Sequence, residues 1–271
     1  MIGAAIYRLR AEGSAWLPVV HGRLMHAAFF AALRELSPEL SGYVHDQMNL
    51  KPFTVSELVL PKQHLREEHG RWYIPAGAIL RWRVTGLTEM MVQAIAAIPP
   101  GYRLQAGSLQ LVVERMSMDP GEEADSGALA EDDLIAACLA VPKVDEITFR
   151  FLSPVSFRAD DRDYPWPLPE YIFASLADKW RQAGLPGDLD KTAIHAEAAA
   201  LRPLAWQGKS QRVYFAHDRG VLAFTGSFTY DLRGLAPERQ QLFLLLAQFA
   251  VFAGVGRLTG QGFGQTRITY R

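Results

Sequence analysis

Apolar residues recur along the chain at two spacings, and the two take turns. Ile2 to Leu9 alternates with the period of a strand. From Val19 to Leu36 the spacing becomes helical. Leu24, Met25, Ala28, Phe29, Ala32, Leu33 and Leu36 share one side, while Arg23, His26, Phe30 and Arg34 fall on the other. Pro38 and Gly42 break this pattern, leaving a turn or short helix to Gln47. Phe53 to Leu60 and Arg71 to Val84 read as strands, the second interrupted near Gly77. Thr88 to Ile98 reads as a helix ended by Pro99-Pro100-Gly101, and Tyr102 to Met116 as a strand. A polar, acidic stretch, Met118 to Gly127, reads as an exposed loop, with a short helix at Ala130 to Ala140.

The alternation then repeats. Glu146 to Phe157 is strand-like, and Pro169 to Ala183 is a helix entered through prolines. Ala198 to Ala205, Arg212 to His217 and Val221 to Tyr230 are strand candidates. Pro237 to Ala253 is a helix with proline in its first turn, and Gly262 to Tyr270 closes the set. Both halves read β-α-β-β-α-β, the ferredoxin-like order. The pattern predicts an α+β protein of two tandem ferredoxin-like (RRM-like) domains, 1–140 and 141–271. The halves share element order and no residue-level repeat.

Composition narrows the class. With 49% hydrophobic and 21% charged residues, the chain can bury a core. One cysteine, Cys138, excludes a disulfide framework and a cysteine metal cluster. Met1 to Ala5 lacks a basic leader, and the longest apolar stretch, Leu242 to Gly256, is too short to span a bilayer. A cytoplasmic protein with no membrane partner is the expectation. The net charge of −1 hides an asymmetry. Seven acids lie between Asp119 and Asp133 without a lysine or arginine, and discounting them leaves +6. Leu201 to Arg271 alone carries +6. A basic C-terminal portion suits nucleic acid.

Two stretches carry candidate chemistry. The first is the run Gly254-Val255-Gly256-Arg257-Leu258-Thr259-Gly260-Gln261-Gly262-Phe263-Gly264, between a helix and the last strand. A helix C-cap explains Gly254 but not five glycines. Backbone N–H groups freed by glycine can form an anion cradle, and Arg257 and Arg267 add charge. Dinucleotide and phosphate-loop motifs both fail here: Thr259 replaces the third glycine, and no Gly-Lys-Ser/Thr occurs in the run. The second is Tyr43-Val44-His45-Asp46-Gln47-Met48-Asn49-Leu50-Lys51-Pro52-Phe53-Thr54-Val55-Ser56. His45 offers an imidazole, the kind of side chain suited to proton transfer, and Lys51 a cation for a charged phosphate. From the residues alone, His45 reads first as an exposed loop histidine or one capping a turn. Gln207-Gly208-Lys209-Ser210-Gln211-Arg212 reads as a hairpin tip presenting Lys209 and Arg212. His64, His69, His195 and His217 show no partner spacing, and no metal motif occurs.

The order helix, G-x-G, five residues, G-x-G, strand resembles the glycine-rich loop of the repeat-associated RNA-binding (RAMP) superfamily of CRISPR systems. Its nearest branch is the endoribonuclease that cuts precursor CRISPR RNA within repeats. The resemblance covers nearly the whole chain and is strongest over Gly22 to Leu58 and Pro237 to Ile268. It implies metal-independent cleavage without cofactor: a ribose 2′-hydroxyl attacks the adjacent phosphate, leaving a 2′,3′-cyclic phosphate and a 5′-hydroxyl. It assigns catalysis to His45 and Lys51. RNA binding falls to Gly254, Gly256, Arg257, Gly260, Gly262, Gly264, Arg267, Lys209 and Arg212. Where some relatives place a catalytic tyrosine, this chain has Phe30, which has no donor. His26, one turn earlier, is the reserve candidate, with Tyr43 a neighbour. The implied partner is CRISPR repeat RNA in a prokaryotic cytoplasm, with other effector subunits as further partners and a monomer or homodimer as the assembly. The alternative is a subunit that holds guide RNA without cutting.

Overall fold

A computed structural model describes residues 1–47, 51–60, 66–215 and 220–271. The spacer at 48–50, His64 and His217 lie outside the described residues, as do the side chains of Asp46 and Gln47. Backbone contacts divide the chain into two units. One comprises Met1–Ala128 with Tyr214, Phe215 and Gly260–Gly262; the other runs from Leu129 and holds the rest of the C-terminal half.

The first unit runs β1 (Ile2–Ala11), β2 (Ala15–Pro18), α1 (Gly22–Leu36), α2 (Pro38–Gln47), β3 (Phe53–Val55), β4 (Arg66–Glu68), β5 (Arg71–Ile74), β6 (Ile79–Gly86), α3 (Glu89–Ala96), β7 (Arg103–Ala106), β8 (Leu109–Ser117) and β9 (Gly127–Leu129). Its main sheet has the order β3-β6-β1-β8-β7, with β9 also on β1. Without the β7 hairpin arm, that is the strand order of a ferredoxin-like domain. A small sheet, β2-β5-β4, stands beside it. Its strands are too short to show alternation in the sequence. β3 is shorter than the predicted strand. The Ser56 hydroxyl accepts the Arg83 N–H at 2.8 Å, and the ladder resumes only at the Val59–Arg81 bridge.

Aromatic rings fill this core. Phe29 of α1 packs on Phe53 at 4.8 Å and Trp82 at 6.4 Å, and Tyr7 on Trp82 at 5.4 Å. All four are fully buried, each worth roughly 1.5–3 kcal/mol in apolar burial. The Tyr7 hydroxyl donates to the Ile95 carbonyl at 2.6 Å, tying β1 to α3.

The acidic stretch expected to be an exposed loop is folded down at its centre. Arg81, Arg8 and Arg115 are direct neighbours across β6, β1 and β8, and like charges so placed repel. Glu123, only 3% exposed, answers them. It accepts from Arg8 Nε at 2.5 Å and Nη2 at 3.0 Å, with Arg81 at 3.4 Å and Arg115 at 3.5 Å. Arg83 donates to the Asp125 carbonyl at 2.8 Å. The segment is a strap over one sheet face.

The second unit contains α4 (Glu131–Leu139), β10 (Glu146–Val155), β11 (Phe157–Ala159), β12 (Arg162–Tyr164), α5 (Pro169–Gln182), α6 (Lys191–Ala198), β13 (Arg202–Val213), β14 (Val221–Asp231), α7 (Pro237–Ala253) and β15 (Thr266–Tyr270). The sheet order β13-β14-β10-β15 is again ferredoxin-like. The expected boundary at residue 140 put α4 with the first domain. The contacts group it with the second, where Gln241 of α7 donates to the carbonyls of Leu139 and Val141, both at 3.0 Å. Helices α5 and α7 meet through Phe173 and Phe243 at 4.6 Å, and Phe173 reaches Phe149 of β10 at 5.6 Å.

Two expectations fail here. Ala198 ends a helix, α6, which Asp190 caps by accepting the Thr192 N–H at 2.8 Å. Gln207 to Arg212 is not a hairpin tip but lies within the continuous strand β13. Gly208 lies directly opposite Gly226, and a Cβ on Gly226 would sit 2.0 Å from the Gln207 carbonyl oxygen. The glycine marks two backbones in close approach rather than a turn.

Candidate active site

Helix α1 is seated by two groups at its start. His21 is buried, accepts the Leu58 N–H on Nε2 at 2.7 Å, and turns Nδ1 to the carbonyls of Pro18 at 3.0 Å and Val19 at 3.1 Å. Those partners require Nδ1–H and a neutral ring. Burial pushes its pKa down to about 4, outweighing the two carbonyls. Glu57 accepts the His21 backbone N–H at 3.0 Å. Burial lifts this carboxyl to about 7, against the N–H bonds from His21 and Gly22.

The polar side of α1 then meets the segment after α2. His26 and Phe30, one turn apart, have ring centroids 5.1 Å apart. Phe53, opening β3, stacks on His26 at 5.6 Å and turns an edge to Phe30 at 5.7 Å. Lys51 donates to the carbonyls of Val44 at 2.7 Å and His45 at 3.5 Å, closing the C-terminal end of α2. Its Nζ also stands 6.0 Å from the Phe30 ring centre. His45, in the last turn of α2, is exposed. A groove of about 520 Å³ between α1 and α2 has Phe30 and Arg34 on one wall and His45 on the other. His26, Lys51 and His45 are therefore gathered around Phe30.

The tautomer of His26 is set by its partner. Nδ1 lies 2.7 Å from the Gly260 carbonyl oxygen, which only accepts. Nδ1 therefore carries hydrogen, and in the neutral ring Nε2 keeps its lone pair. Burial lowers the pKa of His26, the Gly260 carbonyl opposes this, and the Lys51 charge adds to it. The site offers a neutral imidazole with an available nitrogen, a second imidazole and an ammonium. Thr54 and Ser56, read as part of the functional stretch, serve the sheet: Thr54 bonds the Thr85 hydroxyl at 2.6 Å, and Ser56 the Arg83 N–H. Among the described residues no three His, Cys, Asp or Glu side chains are grouped to hold a metal ion.

The glycine run is more tightly packed than an open cradle. The N–H groups of Gly254, Val255, Arg257, Phe263 and Gly264 donate to internal carbonyls. Gly264 has φ +70°, and a Cβ there would lie 2.0 Å from the Val255 oxygen; only glycine fits. Gly254, Gly256 and Gly262 are buried too. The run's contribution to the site is the carbonyl of Gly260. Arg257 is paired with Asp163. Arg267 and Lys209 do come together. With Arg150 they line a groove of about 920 Å³ on the second sheet, among the hydroxyls of Thr148, Thr225 and Ser227. Arg212 is exposed nearby on β13 and donates to the Gly220 carbonyl at 3.1 Å.

Sequence reasoning missed two residues. Lys179 is fully buried and donates to the carbonyls of Ala253 at 3.1 Å and Gly254 at 2.8 Å, and to the Thr259 hydroxyl at 3.4 Å, anchoring the start of the run. Burial pulls its pKa down to about 7. Glu57 was the other. The signals were slight: Glu57 is a charge inside an apolar stretch, and Lys179 a charge at helical spacing with Ile172, Leu176 and Trp180.

Two ferredoxin-like domains, with a glycine-rich run before the last strand and histidine and lysine side chains gathered at the first helix, are the arrangement that the RAMP resemblance implies. Comparison with known proteins gives the family. A model of the CRISPR-associated endoribonuclease Cas6 matches residues 149–266, and one of the Cas6 N-terminal domain matches 8–101. The chain belongs to the Cas6 family. A CRISPR-associated endoribonuclease Cas6 of Mycobacterium tuberculosis is 27% identical over 195 residues, 70% of this chain. The matched part spans 59% of that relative's length. A solved Thermus thermophilus Cas6 is 26% identical with a TM-score of 0.71, covering 99% of this chain and 98% of its own. A Cas6 product complex is 27% identical with a TM-score of 0.77, covering 99% and 100%.

Proposed function

We propose that the chain is an endoribonuclease that cuts precursor CRISPR RNA within its repeats, without a metal ion, to release guide RNAs. The gathering of His26, Lys51 and His45 around Phe30, with His26 oriented by Gly260, carries this reading. His26 Nε2 takes the proton of the ribose 2′-hydroxyl beside the scissile phosphate. The oxygen attacks phosphorus, and the bond to the 5′-oxygen of the next nucleotide breaks. His45 gives that leaving oxygen its proton. Lys51 steadies the charge on the phosphorane and holds the end of α2 that carries His45. The ends are a 2′,3′-cyclic phosphate and a 5′-hydroxyl. The groove of Arg150, Lys209 and Arg267, with Arg212 beside it, takes RNA phosphates from the second domain.

Phe30 favours a second reading, a subunit that holds guide RNA without cutting, because a phenyl ring supplies no proton. One assay separates them. Repeat RNA is incubated with the protein in EDTA, and the product ends are analysed. A cyclic phosphate, and full protection by a single 2′-deoxy substitution at the cut, are expected. Binding without cleavage would establish the second reading, and cleavage of the 2′-deoxy RNA would contradict the mechanism.

A further inference from the structure

The groove between α1 and α2 has a shape that catalysis alone does not require. Ala27, Ala31 and Gly42 line it with almost no side chain, leaving the half-buried Phe30 to face the groove between them. A Cβ on Gly42 would meet nothing within 4 Å. Behind Phe30, His26 and Phe53 brace the ring at 5.1 and 5.7 Å, so its position is set before any ligand arrives. Arg34 of α1 and His45 of α2 both line the groove, and among the described residues no acidic side chain does. The volume, about 520 Å³, is that of a small-ligand site.

We propose that this groove is a nucleobase slot: Phe30 stacks with the base of a nucleotide next to the scissile phosphate, while Arg34 and His45 meet the phosphates on either side of it. The inference rests on the endoribonuclease reading and extends it. An aromatic face suits any base, because every base has a π-face, and a guanidinium and an imidazole beside it suit a strand whose charge lies on each side of each base. An apolar peptide would have no use for those polar groups. On this account the ring at position 30 positions substrate and transfers no proton.

The test uses the whole protein with 13C-labelled alanine methyls and repeat RNA carrying a 2′-deoxy at the mapped cut. Stacking moves the Ala27 and Ala31 methyl signals upfield on binding, and RNA made abasic at the flanking nucleotide does not. In parallel, Gly42→Leu fills the slot. Single-turnover cleavage of intact RNA then falls about 10- to 100-fold. The same variant shows no further loss on the abasic RNA, because the interaction is already gone. Methyl signals unmoved by intact RNA, or losses from Gly42→Leu and the abasic site that multiply, overturn the slot. If wild type still cleaves in a His45-dependent way, only the slot falls. If the RNA is neither bound nor cut, the endoribonuclease reading falls with it.

Discussion

Helices α2 and α6 occupy the same place in the two domains, between the first long helix and the second strand of the ferredoxin-like set, and each carries a histidine in its last turn. The chain beyond the two helices differs. After α2, Lys51 turns back onto the carbonyls of Val44 and His45 while Phe53 packs beneath His26. After α6, the chain closes on itself: Ala199 N–H bonds the His195 carbonyl at 3.1 Å, and Glu197 is taken by Arg239. His195 lies edge-on to Tyr171, with ring centroids 5.9 Å apart. A repeated fold thus places a histidine at the same point of each domain, and the residues after the helix give the two different surroundings. The sheets differ in the same manner. The arginine row of the first is closed by its own Glu123, whereas Arg150 and Arg267 of the second line an open groove.

The largest effect that sharpens this contrast comes from Lys51→Met, which removes the ammonium from the first domain's helix end. Single-turnover cleavage should fall about 100-fold with RNA affinity little changed; an equal loss of both would make Lys51 a binding residue. Next is Gly264→Ala in the second unit, expected to cost about 2–3 kcal/mol in denaturant unfolding because of its positive φ and blocked Cβ. Gly13→Ala in the first unit, with open space around it, should stay within about 0.5 kcal/mol. A smaller effect compares the two sheets. Arg150→Ala should lower the slope of log affinity against log salt by about 1, while Arg115→Ala, whose charge faces Glu123, should leave that slope unchanged.

The smallest effect near neutrality is in stability against pH. The folded pKa of His21 is depressed from 6.5 to about 4. Its contribution is present above 6.5 and is lost as pH falls through 4. Glu57 acts oppositely. Its folded pKa is raised from 4.5 to about 7, so its contribution is present below 4.5 and lost as pH rises through 7. In wild type the two oppose each other where they overlap. In Glu57→Gln the His21 term stands alone, and melting temperature should decline more steeply from pH 6.5 downward. An unchanged profile would show that Glu57 is not the opposing group.

Much of the fold was legible because its punctuation is local. Proline at the start of α7 and glycine after its end mark Pro237–Ala253 without any tertiary knowledge. The α6 helix was hidden because eight residues give little periodicity and Ala198 continues into an apolar stretch. Gly208 was misread because a glycine pressed against another strand looks, in sequence, like a glycine in a turn. The strap was half legible. The acids are plain, but that Arg8, Arg81 and Arg115 form one row is a fact of strand register. In the site, the spacing of His45 and Lys51 could be read and the first-helix position of His26 noticed. The Gly260 carbonyl that sets the His26 tautomer lies 234 residues away, beyond any local pattern.

The central claim is that the imidazole after the first helix, and not its counterpart in the second domain, does the chemistry. The most direct measurement is the single-turnover rate of repeat-RNA cleavage in EDTA for wild type, His45→Ala and His195→Ala. A loss of about 100-fold or more in the first variant and an unchanged rate in the second are predicted. Equal rates in all three proteins would contradict it.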